Sequence, residues 1–153
     1  MKVYLGTDHA GFDLKEQIKA FLTENNYEVE DCGAFTNDPN DDYPDFIAPT
    51  ADGVARNPEV DKGIIFGGSG NGEAMGANKC KGIRAAVYNT ENLELVKLAR
   101  LHNDANILSI GARFVSIENA KEAVKLFLDT TYTAEERHER RIEKIRHLEG
   151  GEI

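Results

Sequence analysis

Seven residues, Gly67-Gly68-Ser69-Gly70-Asn71-Gly72-Glu73, carry the densest chemical potential in the chain. They follow an apolar run, Gly63-Ile64-Ile65-Phe66, and precede a stretch that reads as helix through Lys79. The local pattern is strand, glycine turn, helix start. Glycines bring the backbone close to a ligand, and their N–H groups, backed by a helix N-terminus worth about half a positive charge, suit an anion. Glu73 at the loop's exit would repel a phosphate held on those amides, but a carboxylate there suits a base beside a developing oxyanion. The plain alternative is a tight βα turn whose glycines serve packing. Spacing sets aside two familiar loops. A P-loop needs Lys and Ser or Thr where Glu73 and Ala74 stand, and the dinucleotide fingerprint needs G-x-G-x-x-G after the first strand.

Three further groups fall at or just beyond element ends: Asp8-His9 after the first strand, His102-Asn103 at the end of a helix, and Arg113 after Gly111. Ligands of open parallel sheets bind outside the carboxyl ends of the strands, so these groups and the glycine loop are expected on one rim. Each also has an ordinary role open to it. Asp8 fits a helix cap, His9 a surface position, and His102 a cation at a helix C-terminus. Arg137 and Arg141, four apart on the last helix, share a face and suit a dianion. That helix taken alone fits a solvated face paired with Glu135, Glu136 and Glu139 better. Cys32 and Cys80 read as buried free thiols, and no cluster of His and carboxylates appears at metal-ligand spacing, so neither a metal nor a cofactor is expected.

The elements that must position these groups alternate. Strands are expected at Val3–Gly6, Tyr27–Asp31, Gly63–Phe66, Ile83–Val87 and Ile107–Ile110. Helices fall between and after them, at 12–24, about 45–56, 72–79, 90–101 and 117–128. This alternation implies βαβ units: an α/β fold with a five-stranded parallel sheet and helices on both faces. Thr133 with Glu136 reads as a capping box for a last helix over 134–149, whose thin stripe of Ile142, Ile145 and Leu148 suits a partner subunit as well as its own sheet.

The chain has 153 residues, 41% apolar and 29% charged, with a formal net charge of −9. A single domain spanning 1–153 is expected, and the acidic balance argues against nucleic acid as a partner. No apolar stretch is long enough to span a membrane, and Met1-Lys2-Val3-Tyr4 leads directly into a strand, so a cytoplasmic location is expected.

Six ordered blocks then stand together: Gly6-Thr7-Asp8-His9-Ala10-Gly11, Asp42-Tyr43-Pro44, the glycine loop, Ala77-Asn78-Lys79, His102-Asn103 and Arg137-His138-Glu139-Arg140-Arg141. With them the chain resembles the type B ribose-5-phosphate isomerases, in the sugar-phosphate isomerase family that also contains the galactose-6-phosphate isomerase subunits. The resemblance implies a Rossmann-like three-layer α/β/α sandwich and active sites shared between two subunits of a homodimer, with a dimer of dimers as a further option. It implies that His102 protonates the ring oxygen, Asp8 takes a hydroxyl proton, and Glu73 carries a proton between C2 and C1. Ser69 and the amides of Gly68, Gly70, Asn71 and Gly72 would hold the enediolate. Asn71, Asn103 and Tyr43 would meet the sugar, and His9, Arg113, Arg137 and Arg141 the phosphate. Arg137 and Arg141 of one chain are expected to complete a site whose Glu73 and His102 belong to the other. One branch of the family places a cysteine base where Gly67 stands, which sorts this chain into the glutamate branch. Two alternatives stay open: an isomerase of a six-carbon aldose phosphate such as allose or galactose 6-phosphate, and a non-catalytic sugar-phosphate or nucleotide-binding module.

Overall fold

Short apolar runs separated by amphipathic segments become five parallel strands, β1 (Lys2–Thr7), β2 (Glu28–Asp31), β3 (Lys62–Gly67), β4 (Ala85–Tyr88) and β5 (Ile107–Gly111), in the order β2-β1-β3-β5-β4. The structure, a computed structural model, describes residues 1–150. Six helices accompany the sheet: α1 (Phe12–Glu24), α2 (Pro44–Ala55), α3 (Asn71–Ala77), α4 (Leu93–Asn103), α5 (Ile117–Asp129) and α6 (Glu136–Gly150). A single 3-10 turn, His9–Gly11, separates β1 from α1.

Side chains alternate across a strand, so each central strand feeds two cores. Val3, Leu5, Ile64, Phe66, Leu108 and Ile110 pack with α1, α4 and α5 through Ile18, Leu22, Val96, Val124 and Phe127. Tyr4, Ile65 and Ile107 face α2 and α3 through Ile47, Ala51, Val54 and Ala77. All six residues of β3 are buried, as a strand covered on both faces requires. The result is the expected three-layer α/β/α sandwich.

Three local expectations change. The capping box does not form: Ala134 has a positive φ of 51°, α6 begins at Glu136, and Glu135 supplies the first carbonyl, to the Glu139 N–H at 2.9 Å. The fourth strand starts at Ala85, because Arg84 is drawn away by the Asn106 side chain, which accepts its N–H at 2.8 Å. Cys32 and Cys80 are free but only half-buried, and Cys80 Sγ lies 3.7 Å from Asp52.

Helix α6 packs on its own chain. It buries His138 and Ile142 beside α4, its Arg146 reaches Glu59 at 3.7 Å, and its Glu149 accepts the Gly82 N–H at 3.0 Å. Glu59 and Gly82 precede β3 and β4, so α6 runs past the amino ends of the sheet. Ile145 and Leu148 stay exposed. Within one chain, then, this helix packs on α4.

The junction between α4 and β5 is held by charge. Asp104 takes a left-handed conformation (φ 44°), which Asp tolerates better than most residues, and its two carboxylate oxygens accept from Arg84 and Arg100 at 2.8 Å each. All three side chains are nearly buried. Removing the shared anion strands two buried guanidinium groups, a cost of about 3–5 kcal/mol. Asp104→Ala is expected to lower stability by that amount in urea unfolding and Asp104→Asn by less, because Asn keeps the left-handed tolerance. Asp129→Ala, which breaks only exposed contacts with Lys125 and the Tyr27 hydroxyl, should move the midpoint far less.

Candidate active site

Strand order reverses at β1, whose neighbours β2 and β3 are reached in opposite directions, and the crevice beyond the carboxyl ends of β1 and β3 is where a parallel sheet opens. Asp8 and His9 leave β1 there. Asp8 is buried and caps the following turn, its Oδ1 accepting the Ala10 N–H at 3.0 Å. The Thr7 hydroxyl sits 3.0 Å from the Phe66 carbonyl and ties that exit to β3.

The glycine loop leaves β3 on the same rim. Gly70 has a φ of 78°, a conformation that costs glycine little, and it turns the chain into α3. Neighbouring strand ends fix the loop from below. Ser109 Oγ donates to the Gly70 carbonyl at 2.6 Å, Asn89 Nδ2 to Ser69 at 3.1 Å, and the N–H groups of Ala112 and Arg113 to Gly67 and Gly68 at 2.8 and 3.2 Å. The loop's carbonyls are thus turned into the protein. In the first turn of α3 the Ala74 N–H bonds the Gly70 carbonyl at 3.1 Å, the Asn71 N–H is taken by Ser69 Oγ at 3.3 Å, and the Glu73 N–H bonds its own carboxyl.

Glu73 is buried at the head of this loop. A Cβ placed on Gly67 would lie 1.8 Å from Glu73 Oε1, so the carboxyl group occupies the space that a side chain at position 67 would need. Burial, reinforced by the nearby Asp8 charge, pushes the Glu73 carboxyl above its ordinary value. A carboxylate whose pKa is raised toward neutrality is a stronger base than a solvated one. Tyr43 packs its ring over Gly72, and the Arg113 guanidinium lies over Gly68, each where a Cβ on the glycine would be in contact at about 3 Å. His9 completes this rim, its Nδ1 2.7 Å from Asp41 Oδ1. The Asp41 bond outweighs the partial burial of the ring and raises the His9 pKa.

His102 and Asn103 do not join them. They end α4, immediately before β5 begins, and the Asn103 carbonyl accepts from Arg84, the residue before β4. Both markers place the pair at the amino rim, a strand length of about 15 Å from the glycine loop. What surrounds His102 is α6. His138 stacks on it, ring centroids 4.3 Å apart and 15° from coplanar, and is itself buried with Nε2 unpartnered. Burial and the neighbouring His102 ring lower the His138 pKa. Arg137 and Arg141 flank His138 and are exposed, Arg137 pairing with Glu135 at 3.1 Å.

The candidate residues of one chain therefore fall into two groups. Asp8, His9, Tyr43, Gly68, Ser69, Gly70, Asn71, Gly72, Glu73 and Arg113 share the carboxyl rim; His102, Asn103, Arg137 and Arg141 share the amino rim. The expectation of a single rim fails for the second group, and so does the grouping of His102 with Glu73 against the arginines. The reason is chain direction: a helix that returns between parallel strands delivers its C-terminus to their amino ends. Sequence reasoning also passed over Asp41 and His138. Asp41 lies 32 residues from its partner, and His138 was read only as part of a motif between two arginines. Among the described residues Asp8, His9 and Asp41 bring ligand-capable atoms within 4.8 Å of one another, a cluster that spacing in sequence conceals, and within it His9 Nδ1 and Asp41 Oδ1 contact each other.

Comparison with known proteins agrees with this architecture. Residues 3–145 match the family model described as Ribose/Galactose Isomerase. Ribose-5-phosphate isomerase B of Mycolicibacterium paratuberculosis is 43% identical over 149 residues, 97% of this chain and 92% of that protein. The protein of the same name in Escherichia coli is 40% identical over 148 residues, covering 97% and 96%. A crystal structure of ribose-5-phosphate isomerase B from Mycoplasma genitalium with bound ribulose-5-phosphate superposes with a TM-score of 0.92 at 39% identity, covering 97% of this chain and 96% of that one. With a match across nearly its whole length and a fold shared with these enzymes, the chain belongs to the ribose/galactose isomerase family.

Proposed function

We propose that the chain interconverts ribose 5-phosphate and ribulose 5-phosphate through an enediolate, without a metal, with Glu73 as the proton-carrying base. The observation that carries this reading is the Glu73 carboxyl, buried over Gly67 at the head of an amide-lined loop and beside Asp8. The names of the relatives at about 40% identity and the ribulose-5-phosphate bound in one of their structures support the choice of substrate.

Ring opening needs one proton delivered to the ring oxygen and one removed from the C1 hydroxyl. His102 gives the first and Asp8 takes the second. Glu73 then removes the C2 proton, the electron pair moves onto the carbonyl oxygen at C1, and the loop amides with Ser69 Oγ hold that oxyanion, each donor worth about 3 kcal/mol. Glu73 returns its proton to C1 as the C2 hydroxyl proton passes to the C1 oxyanion, which yields the ketose. Asn71, Asn103 and Tyr43 meet the sugar hydroxyls, and His9, Arg113, Arg137 and Arg141 meet the phosphate. Because His102, Asn103 and the two terminal arginines stand on the opposite rim from Glu73, a second copy supplies them, and the working unit is a homodimer with shared sites.

Four measurements test this. In a coupled assay with EDTA present, ribose 5-phosphate should turn over, and faster than allose 6-phosphate; the reverse order makes the six-carbon sugar the substrate. Glu73→Gln should lower kcat at least about a hundredfold, the scale of a general base, and Gly67→Ala should approach that loss by displacing the carboxyl. Since Glu73 acts ionised and its pKa in the free protein is raised, kcat/KM should be full above that pKa and fall as pH drops through it, at a midpoint above the ordinary 4.5. Mixing inactive Glu73→Gln chains with inactive His102→Ala chains should rebuild roughly a quarter of the sites, because half of randomly exchanged dimers are mixed and each has one intact site. Heterodimers seen by native mass spectrometry with no recovered activity would rule out the shared site.

A further inference from the structure

Asp41 lies in the polar loop before α2, and one of its carboxylate oxygens does two things for His9. Oδ1 accepts the His9 main-chain N–H at 3.0 Å and stands 2.7 Å from the ring Nδ1. The loop in turn holds Asp41, whose N–H bonds the Asp38 carbonyl at 3.1 Å while Asp38 Oδ1 accepts the Asn40 N–H at 3.0 Å. A carboxylate can only accept, so the proton in the His9 contact sits on Nδ1, and Nε2 is left for another partner.

The second oxygen adds an independent constraint. Asp41 Oδ2 is buried with no hydrogen-bond partner, and the Asp41 side chain is 9% exposed. A carboxylate so placed is costly without a cation against it, and among the described residues His9 is the group in contact. Asp8 on the same turn also favours a charged ring, whereas Arg113 from the turn after β5 opposes it. Asp13 of α1 lines the cleft that His9 borders.

We propose that Asp41 is a positioning residue: it fixes the His9 proton on Nδ1 and supplies the counter-charge that keeps the ring an imidazolium, so that Nε2–H is presented to the substrate's phosphate. The identity of that anion rests on the isomerase reading; the state of His9 does not. The sign of the pH dependence follows. Phosphate binding that needs the imidazolium is present below the His9 pKa and lost as pH rises through it, so removing the Asp41 charge should bring that loss to lower pH.

Two-dimensional NMR of histidine-labelled, substrate-free protein reads the state of His9 directly, its signals assigned by their disappearance in His9→Gln. In Asp41→Asn the His9 midpoint should fall by about one pH unit, as for a histidine losing an adjacent carboxylate. The alkaline limb of kcat/KM for ribose 5-phosphate should move with it, and above neutral pH KM should rise about tenfold with kcat changed less than about twofold. In His9→Gln the limb should vanish, and adding Asp41→Asn should raise KM no further. An unchanged midpoint, a limb that stays while the midpoint moves, or an equal Asp41 effect without His9 would each overturn the proposal. So would nitrogen shifts in the wild-type protein that show a neutral ring protonated on Nε2 at neutral pH, a result that needs no variant. If ribose 5-phosphate is not turned over, the isomerase reading fails, while the NMR midpoint and calorimetric binding of inorganic phosphate across pH still decide the role of Asp41.

Discussion

All five strands run one way, so each helix that returns between them must run the other way. Every strand-to-helix turn then opens on the carboxyl rim and every helix-to-strand turn on the amino rim, and no rearrangement of loops can exchange them. This constraint divides the chemistry of the chain. Asp8, His9, the glycine loop and Arg113 follow strands; His102 and Asn103 precede one. Under the dimeric mechanism proposed above, the sheet's direction is the reason that chemistry depends on association: an isolated chain has a base with no proton donor across from it.

Each rim is held in shape by different contacts. On the carboxyl rim the glycine loop gains its shape from hydrogen bonds that consume carbonyls, with Ser109, Asn89, Ala112 and Arg113 as donors, so that amides are what remains for a ligand. Donors already aimed need no reorganisation when charge develops, which is where preorganised sites gain most over water. On the amino rim the corner carrying His102 and Asn103 is clamped by a buried anion between two arginines, and the His102 ring is backed by His138.

The parts of this arrangement that were legible in sequence are those encoded by neighbours along the chain. Alternating strands and helices, the glycine loop with its exit carboxylate, and the positions of Asp8 and His9 are all patterns of a few residues. Boundaries were harder. Thr133 and Glu136 have the letters of a capping box, yet the left-handed Ala134 between them lets Glu135 start the helix instead. Hidden altogether were contacts between distant segments. The His9–Asp41 pair spans 32 residues, the His102 and His138 rings meet only because α6 folds back on α4, and the space above Gly67 is visible only once Glu73 is seen to fill it. Rim assignment was an error of a different kind, since chain direction was available and the end of a helix was treated as though it were the end of a strand.

The shared volume of Gly67 and Glu73 has a consequence for how such a chain can change over generations. In the family branch that this sequence resembles less, a cysteine stands at position 67, and a Cβ there would collide with the Glu73 carboxyl. The two bases are therefore alternatives for one space, and the substitutions that exchange them cannot be taken in either order with equal effect. Under the proposed mechanism, gaining the thiol first wedges it against the acid, whereas losing the acid first removes the base. A lineage moving between the two chemistries has to cross a valley one residue wide, and the same overlap that seats the carboxylate so firmly also isolates it from its nearest chemical neighbour.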